Sequence, residues 1–270
     1  MTMPSMLYGT AWKKERTADL VIQAVLNGFR GIDTACQPKH YDEPQVGEAI
    51  ARLNSHGIAR EDLFVQTKFT PLSGQDPQRI PYDPNAQLAV QVAQSFKASQ
   101  RNLQTHYLDS LILHSPLFPY TNLKTVWSAM EEIFYNGGTR QIGISNCYDL
   151  DILKRLHADA KVKPSVVQNR FYRDSGYDTD IRQWCDDQGV VYQSFWSLTA
   201  NPHLLGDRMV GEMAMKYGRT PAQIFYRYLT HVNIVPLIGS TSLEHIVQDM
   251  EIFEFELSVC EIATITELLA

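Results

Sequence analysis

Six points along this chain set polar or reactive side chains at the end of a short apolar run: Asp33, Lys68, His114, Ser145 with Asn146, Gln168 with Asn169, and Ser194 ahead of Phe195 and Trp196. A carboxylate, an ammonium, an imidazole and a set of amides and hydroxyls are the parts needed to move a proton and to hold a polar ligand. Each residue alone has a plain structural explanation. An aspartate after a strand often forms a turn or caps a helix, and a lysine there is usually solvated. A histidine beside a proline is often a satisfied core group. The collection matters more than its members, because independent segments would have to deliver an acid, a base and an imidazole to one rim.

The elements that could do so alternate from end to end. Eight compact apolar runs read as strands: 6–9, 31–33, 63–67, 110–113, 141–145, 166–169, 190–194 and 233–238. Between them lie amphipathic stretches at 17–27, 86–103, 123–135, 150–156, 179–188 and 243–250, with Gly28 and Gly189 as helix stops. A last helix is expected over 258–269, where Ser258 and Glu261 form a capping box. Strand–helix alternation predicts a parallel sheet, and eight strands predict closure into a (β/α)8 barrel of ~250 residues. No linker divides the chain, so 1–270 is read as one α/β barrel domain. In such barrels catalytic side chains sit at the C-terminal strand ends. The irregular stretch 71–84, PLSGQDPQRIPYDP, follows the third strand and is read as a candidate wall or lid.

Composition removes several function classes. A net charge of −6 and a pI near 5.7 leave no basic surplus for a phosphate backbone, so nucleic acid is not an expected partner. Apolar runs are far shorter than the ~20 residues that span a bilayer, so no membrane association is expected. The N-terminus lacks the pattern of a signal peptide, and a cytoplasmic location is expected. Cys36, Cys147, Cys185 and Cys260 form no CxxC pair, which favours reduced thiols over zinc or disulfides, and no metal site is expected. No two glycines stand two positions apart, so GxGxxG cannot occur. The P-loop, HExxH and GxSxG patterns are also absent.

Several ordered motifs together resemble the aldo-keto reductase superfamily. GTAW (9–12) is similar to its first strand and loop. GFRGIDTA (28–35) followed by YDEPQVGEAI (41–50) is similar to its signature around the catalytic Asp and Tyr. VQTKF (65–69) resembles the Lys strand and YLDSLILHSP (107–116) the His strand. VWSAMEEIFYNGGTRQIGISN (126–146), VVQNRFY, VVYQSFWSL and VPLIGSTSLEHI complete the set. The resemblance covers nearly the whole chain.

It implies hydride transfer between a nicotinamide cofactor and a carbonyl, with Asp33, Tyr41, Lys68 and His114 as the catalytic set. The chemistry is coherent. A reduced carbonyl builds negative charge on oxygen and needs a proton donor. Tyr41 supplies a phenol, and a nearby Lys68 ammonium is expected to lower its pKa. Asp33 is expected to hold Lys68, and His114 to hydrogen-bond the carbonyl oxygen. Asp33 and Tyr41 stand eight positions apart, a wider spacing than the family usually shows, with the extra residues in CQPKH. His40, beside Tyr41, is placed to enter the pocket.

The resemblance also places the cofactor. Gly9, Thr10, Ala11 and Asp33 belong to its contacts. Ser145, Asn146 and Gln168 suit a nicotinamide carboxamide, and Phe195 stands where an aromatic stacks on the ring, with Trp196 as a competing register. Ser197 and Leu198 resemble the pyrophosphate segment. Gly239, Ser240, Thr241, His245 and Asp249 stand at the adenosine end, where the family's phosphate-gripping Lys and Arg are replaced by Gly239 and His245. NADP(H) is expected ahead of NAD(H) from the family, with weak discrimination because those two cations are missing. For the substrate, Trp12, Tyr41, His114 and Ser115 are the expected contacts. Ser115 replaces a bulky indole, and the family's closing tail and N-terminal hairpin have no counterpart. An open pocket that accepts activated aldehydes over simple sugars is expected, in a monomer or weak homo-oligomer. The alternative from another class is a nicotinamide-binding regulatory barrel with little turnover.

Overall fold

In the computed structural model, which describes residues 2–269, eight parallel strands close into a barrel in sequence order. They are β1 (Leu7–Gly9), β2 (Gly31–Asp33), β3 (Phe64–Phe69), β4 (Ser110–Leu113), β5 (Ile142–Ser145), β6 (Val166–Arg170), β7 (Val191–Phe195) and β8 (Ile234–Ile238). β1 pairs with both β2 and β8, which completes the ring. Nearly every strand residue is buried, because one set of side chains fills the barrel and the other lies under helices.

The outer ring begins with α1 (Thr17–Leu26), α2 (Glu43–Asn54), α3 (Leu88–Asn102), α4 (Tyr120–Tyr135), α5 (Leu150–Asp159) and α6 (Thr179–Gln188). After β7 come α7 (Pro202–Leu205), α8 (Arg208–Tyr217) and α9 (Pro221–His231). After β8 come α10 (Leu243–Met250) and α11 (Val259–Leu268). Among the described residues no helix is long and apolar enough to cross a membrane.

Three differences from the sequence reading concern the site. β3 continues to Phe69, so Lys68 lies inside a strand rather than beyond its end. Helices α2, α8 and α9 were not among the amphipathic stretches. α2 carries a buried Glu43 and Gly47 on its inner face, and these break the apolar pattern. α9 did carry a readable start: Thr220 caps it, Pro221 opens it, and Gln223 closes a capping box. Finally, the stretch 71–84 is a brace rather than a lid. Gln37 Nε2 donates to the Gly74 carbonyl at 2.7 Å, and Gln75 Nε2 to the Cys36 carbonyl at 2.9 Å. None of its residues lines the central cavity.

Gly47 shows how tightly α2 is held. A Cβ there would come within 2.0 Å of the Asn102 carbonyl oxygen at the end of α3. That approach lets Glu43, one turn earlier, accept hydrogen bonds from Thr67, Ser99 and Asn102. Gly47→Ala should therefore destabilise the fold by about 1–3 kcal/mol in urea unfolding, through overpacking. Gly211, in α8, has open space around its Cβ position and an ordinary helical backbone. Gly211→Ala should instead stabilise the fold by about 0.5–1 kcal/mol. Equal effects of the two substitutions would contradict this packing.

Candidate active site

Strand register brings the interior polar groups level. Asp33 lies opposite Gln66, and Ser145, Gln168 and Gln193 are aligned across β5, β6 and β7. Lys68 Nζ donates to Asp33 Oδ2 at 2.5 Å and to the Thr34 carbonyl at 2.9 Å. Asp33 Oδ1 accepts from Gln66 Nε2 at 2.8 Å and Gln168 Nε2 at 3.1 Å. Both amides also donate to Gln193 Oε1 at 2.8 Å, and Gln193 Nε2 returns to Gln66 Oε1 at 3.1 Å. Burial pulls the Lys68 ammonium below its ordinary pKa, and the Asp33 carboxylate opposes that shift. Asp33 and Gln168 of this belt line a cavity of about 750 Å3.

Tyr41 reaches the cavity from the widened segment after β2. Residues 37–41 turn back on themselves, with the His40 and Tyr41 amides both donating to the Gln37 carbonyl. The Trp12 amide donates to the His40 carbonyl at 2.7 Å, and the Trp12 and His40 rings lie 3.7 Å apart. Asp42 then caps α2 by accepting from the Gln45 amide at 3.1 Å. The extra residues are thus absorbed in a turn, and His40 does line the cavity, stacked on Trp12.

The Tyr41 pKa runs against the sequence reading. Lys68 Nζ lies 5.2 Å from the Tyr41 ring centroid and makes no hydrogen bond to the hydroxyl. Burial, and then the Asp33 carboxylate, push the phenol well above its ordinary value of 10.0. The Lys68 charge is already committed to Asp33, so it does not draw the resting phenol towards phenolate.

His114 follows β4 and faces Tyr41, with ring centroids 6.0 Å apart in an edge-to-face arrangement. Its Nδ1 is bonded to Thr70 Oγ1 at 2.7 Å. Burial, and then the Lys68 and His40 charges, pull the imidazole down to about 3, so it is neutral. Thr70 thus occupies Nδ1, and Nε2 is the ring nitrogen with no partner among the described residues.

Along one wing of the cavity, Asn146 Nδ2 donates to the His114 carbonyl at 2.8 Å and Ser145 Oγ to the Gln168 carbonyl at 2.7 Å. Gln168 Oε1 accepts no hydrogen bond from the described residues, so an acceptor remains for a ligand. Phe195 lies two residues beyond Gln193 on β7 and shares its inward face. Trp196, in a left-handed backbone (φ 57°), also lines the cavity at its mouth, is 48% exposed, and packs its ring 4.2 Å from the Arg170 guanidinium.

Along the other wing lie Gly9, Ala11, Ser197, Leu198, Gly239, Ser240, His245 and Asp249. Burial pushes the Asp249 carboxyl up to about 7. Trp12 stands at the mouth, 58% exposed. Four expected positions do not line the cavity. Lys68 lies beneath it, and Thr10 Oγ1 donates to the Asp33 carbonyl at 3.0 Å. Thr241 and Ser115 also fall outside the lining, so Ser115 does not open the pocket. Sequence reasoning missed Lys13, Gln37, Thr220 and Tyr226, which do line it. Thr220 and Tyr226 went unseen with α9, whose capping box was their signal.

Residues 5–270 match the Aldo/keto reductase family. A glyoxal reductase of Bacillus subtilis is 29% identical over 87% of this chain and 77% of its own length. An aldo-keto reductase from a Medee basin deep-sea metagenome library superimposes with a TM-score of 0.84 at 26% identity, over 99% of this chain and 92% of the other. An aldo-keto reductase of the silkworm Bombyx mori, solved in complex with NADPH, gives 0.81 at 23% identity, over 98% of this chain and 84% of the other. Eight strands closed in order, a buried Lys–Asp pair beneath a Tyr and a His, and a match that runs to the last residue lead to one statement: the chain belongs to the aldo/keto reductase family and is an oxidoreductase of that nicotinamide-dependent class.

Proposed function

We propose that this protein reduces aldehyde or ketone carbonyls with NADP(H), ahead of NAD(H), and that Tyr41 gives the proton. The observation that carries this reading is the placement of Tyr41 and His114 on one opening, directly above the Lys68–Asp33 pair. The residues fit a dinucleotide. Gln168 Oε1 is an unbonded acceptor at one wing, and hydroxyl and cationic groups of Ser240 and Lys13 stand at the other. The cofactor, when bound, supplies the hydride.

The chain's own residues do the rest. His114 Nε2–H and the Tyr41 hydroxyl converge on the carbonyl oxygen and polarise it. A raised phenol pKa keeps Tyr41 protonated at neutral pH, which is the state an acid needs. As negative charge grows on the oxygen, the Tyr41 proton passes to it, giving the alcohol hydroxyl. Lys68, 5.2 Å from the ring centroid, stays held by Asp33 beneath the ring. Gln66 and Gln168 donate to Asp33, which in turn holds the Lys68 ammonium in place. Trp12, His40 and Trp196 give the mouth aromatic walls, which favours activated aromatic aldehydes such as nitro-substituted benzaldehydes over simple sugars.

Tyr41→Phe should lower carbonyl reduction by about 10²–10⁴-fold while NADPH affinity stays nearly unchanged, since only the hydroxyl is lost. Steady-state kinetics and a fluorescence titration check both halves. Turnover retained in that variant would assign the proton to another group.

The neutral His114 has a consequence for stability. Its folded pKa, about 3, lies below the ordinary 6.5. As pH falls through that window the unfolded chain takes up a proton that the folded chain refuses. Stability is therefore full above about 6.5 and is lost towards about 3. Urea unfolding of wild type and His114→Gln should show a difference that shrinks in wild type's disfavour as pH drops from about 7 to about 4. A pH-independent difference would mean that His114 titrates normally.

A further inference from the structure

Two cationic side chains from the segment between β1 and α1, Lys13 and Arg16, lie against residues 239–241. Resting on the cofactor reading above, we propose that Lys13 and Arg16 grip the 2′-phosphate of NADP(H) and set the preference over NAD(H). Both belong to the segment between β1 and α1. Lys13 is only 7% exposed, lines the cavity, and donates Nζ to the Gly239 carbonyl. Arg16 Nη2 donates to the Thr241 carbonyl at 3.2 Å. The pair therefore flanks the very stretch, 239–241, that opens onto α10 and carries His245 and Asp249 at the adenosine wing.

The glycine at 239 is part of the arrangement. A Cβ built there would stand 3.4 Å from Lys13 Nζ, against which it would pack. A long cationic side chain at 239 would have to share that space with the Lys13 ammonium.

Neither cation has a carboxylate partner among the described residues. A buried ammonium held only by a carbonyl is poorly compensated, and burial followed by the Arg16 charge pulls Lys13 down to about 8. A dianionic phosphate would satisfy both side chains at once. At the same wing the Ser242 amide donates to the Ser240 hydroxyl at 3.2 Å, and Ser242 caps α10. The cofactor's pyrophosphate is the rival anion, and its expected contacts, Ser197 and Leu198, lie on the segment after β7.

Equilibrium binding separates the two anions. NADPH, NADH, 2′,5′-ADP and 5′-ADP are titrated against intrinsic tryptophan fluorescence, for which Trp12 beside Lys13 is a local reporter. The wild type should bind NADPH and 2′,5′-ADP more tightly than their partners lacking the 2′-phosphate. Lys13→Gln and Arg16→Gln should each weaken NADPH and 2′,5′-ADP by roughly 10–100-fold, the worth of one charge-assisted hydrogen bond, and leave NADH and 5′-ADP within about twofold. Lys13→Arg should retain much of the preference. Should Lys13→Gln fail to fold, the exposed Arg16→Gln carries the test. Equal weakening of all four ligands would overturn the proposal in favour of the pyrophosphate. A wild type that binds NADPH and NADH equally would also overturn it. A wild type that binds neither would instead overturn the cofactor reading on which the proposal rests.

Discussion

Lys68 carries an ammonium into the interior at the C-terminal end of β3, where its side chain is 1% exposed. An isolated charge there would cost several kcal/mol, and the interior is arranged to avoid that cost. Asp33 meets the ammonium directly, and two glutamine amides donate to the other carboxylate oxygen. Gln66 and Gln168 in turn both donate to Gln193 across the barrel. Removing any one member leaves a buried polar group without its partner, so the belt holds as a unit. It fixes the height at which Lys68 sits, and hence its separation from Tyr41.

That separation shapes the acid. Because Lys68 is committed to Asp33, the phenol of Tyr41 feels burial and a nearby carboxylate more than it feels the cation. A phenol held in its protonated form suits carbonyl reduction, in which the charge appears on oxygen only as the hydride arrives. Thr70 does the matching work for His114 by occupying Nδ1 and directing the ring's remaining nitrogen towards the opening. Lys68 and His114 are each tied to a partner, whereas the Tyr41 hydroxyl bonds to none of the described residues.

Much of the barrel was legible in the sequence, because short apolar runs alternating with amphipathic stretches permit few other architectures. What was hidden were contacts between distant residues. Lys68 reads as the end of a strand because a cation inside one is rare, and its partner Asp33 stands 35 positions away. Gln66 and Gln193 look like breaks in apolar strands until closure of the barrel brings them together across its interior. Lys13 sits in the run KKER and reads as solvated, while the carbonyl that holds it is 226 positions distant. The stretch 71–84 looked like a lid because it is long and rich in proline, yet its hydrogen bonds run to the segment that presents Tyr41. Residue types and their order were legible; the commitment of each side chain to a partner was not.

The account turns on Tyr41 resting as a phenol rather than a phenolate. Protein labelled with 13C at tyrosine Cζ reports this directly, with the Tyr41 resonance assigned by its loss in Tyr41→Phe. The account predicts that this resonance keeps its protonated position as pH is raised to about 10, the ordinary midpoint for tyrosine, while exposed tyrosines titrate. A Tyr41 midpoint well below that value would show the Lys68 charge acting on the phenol instead of on Asp33, and would contradict the account.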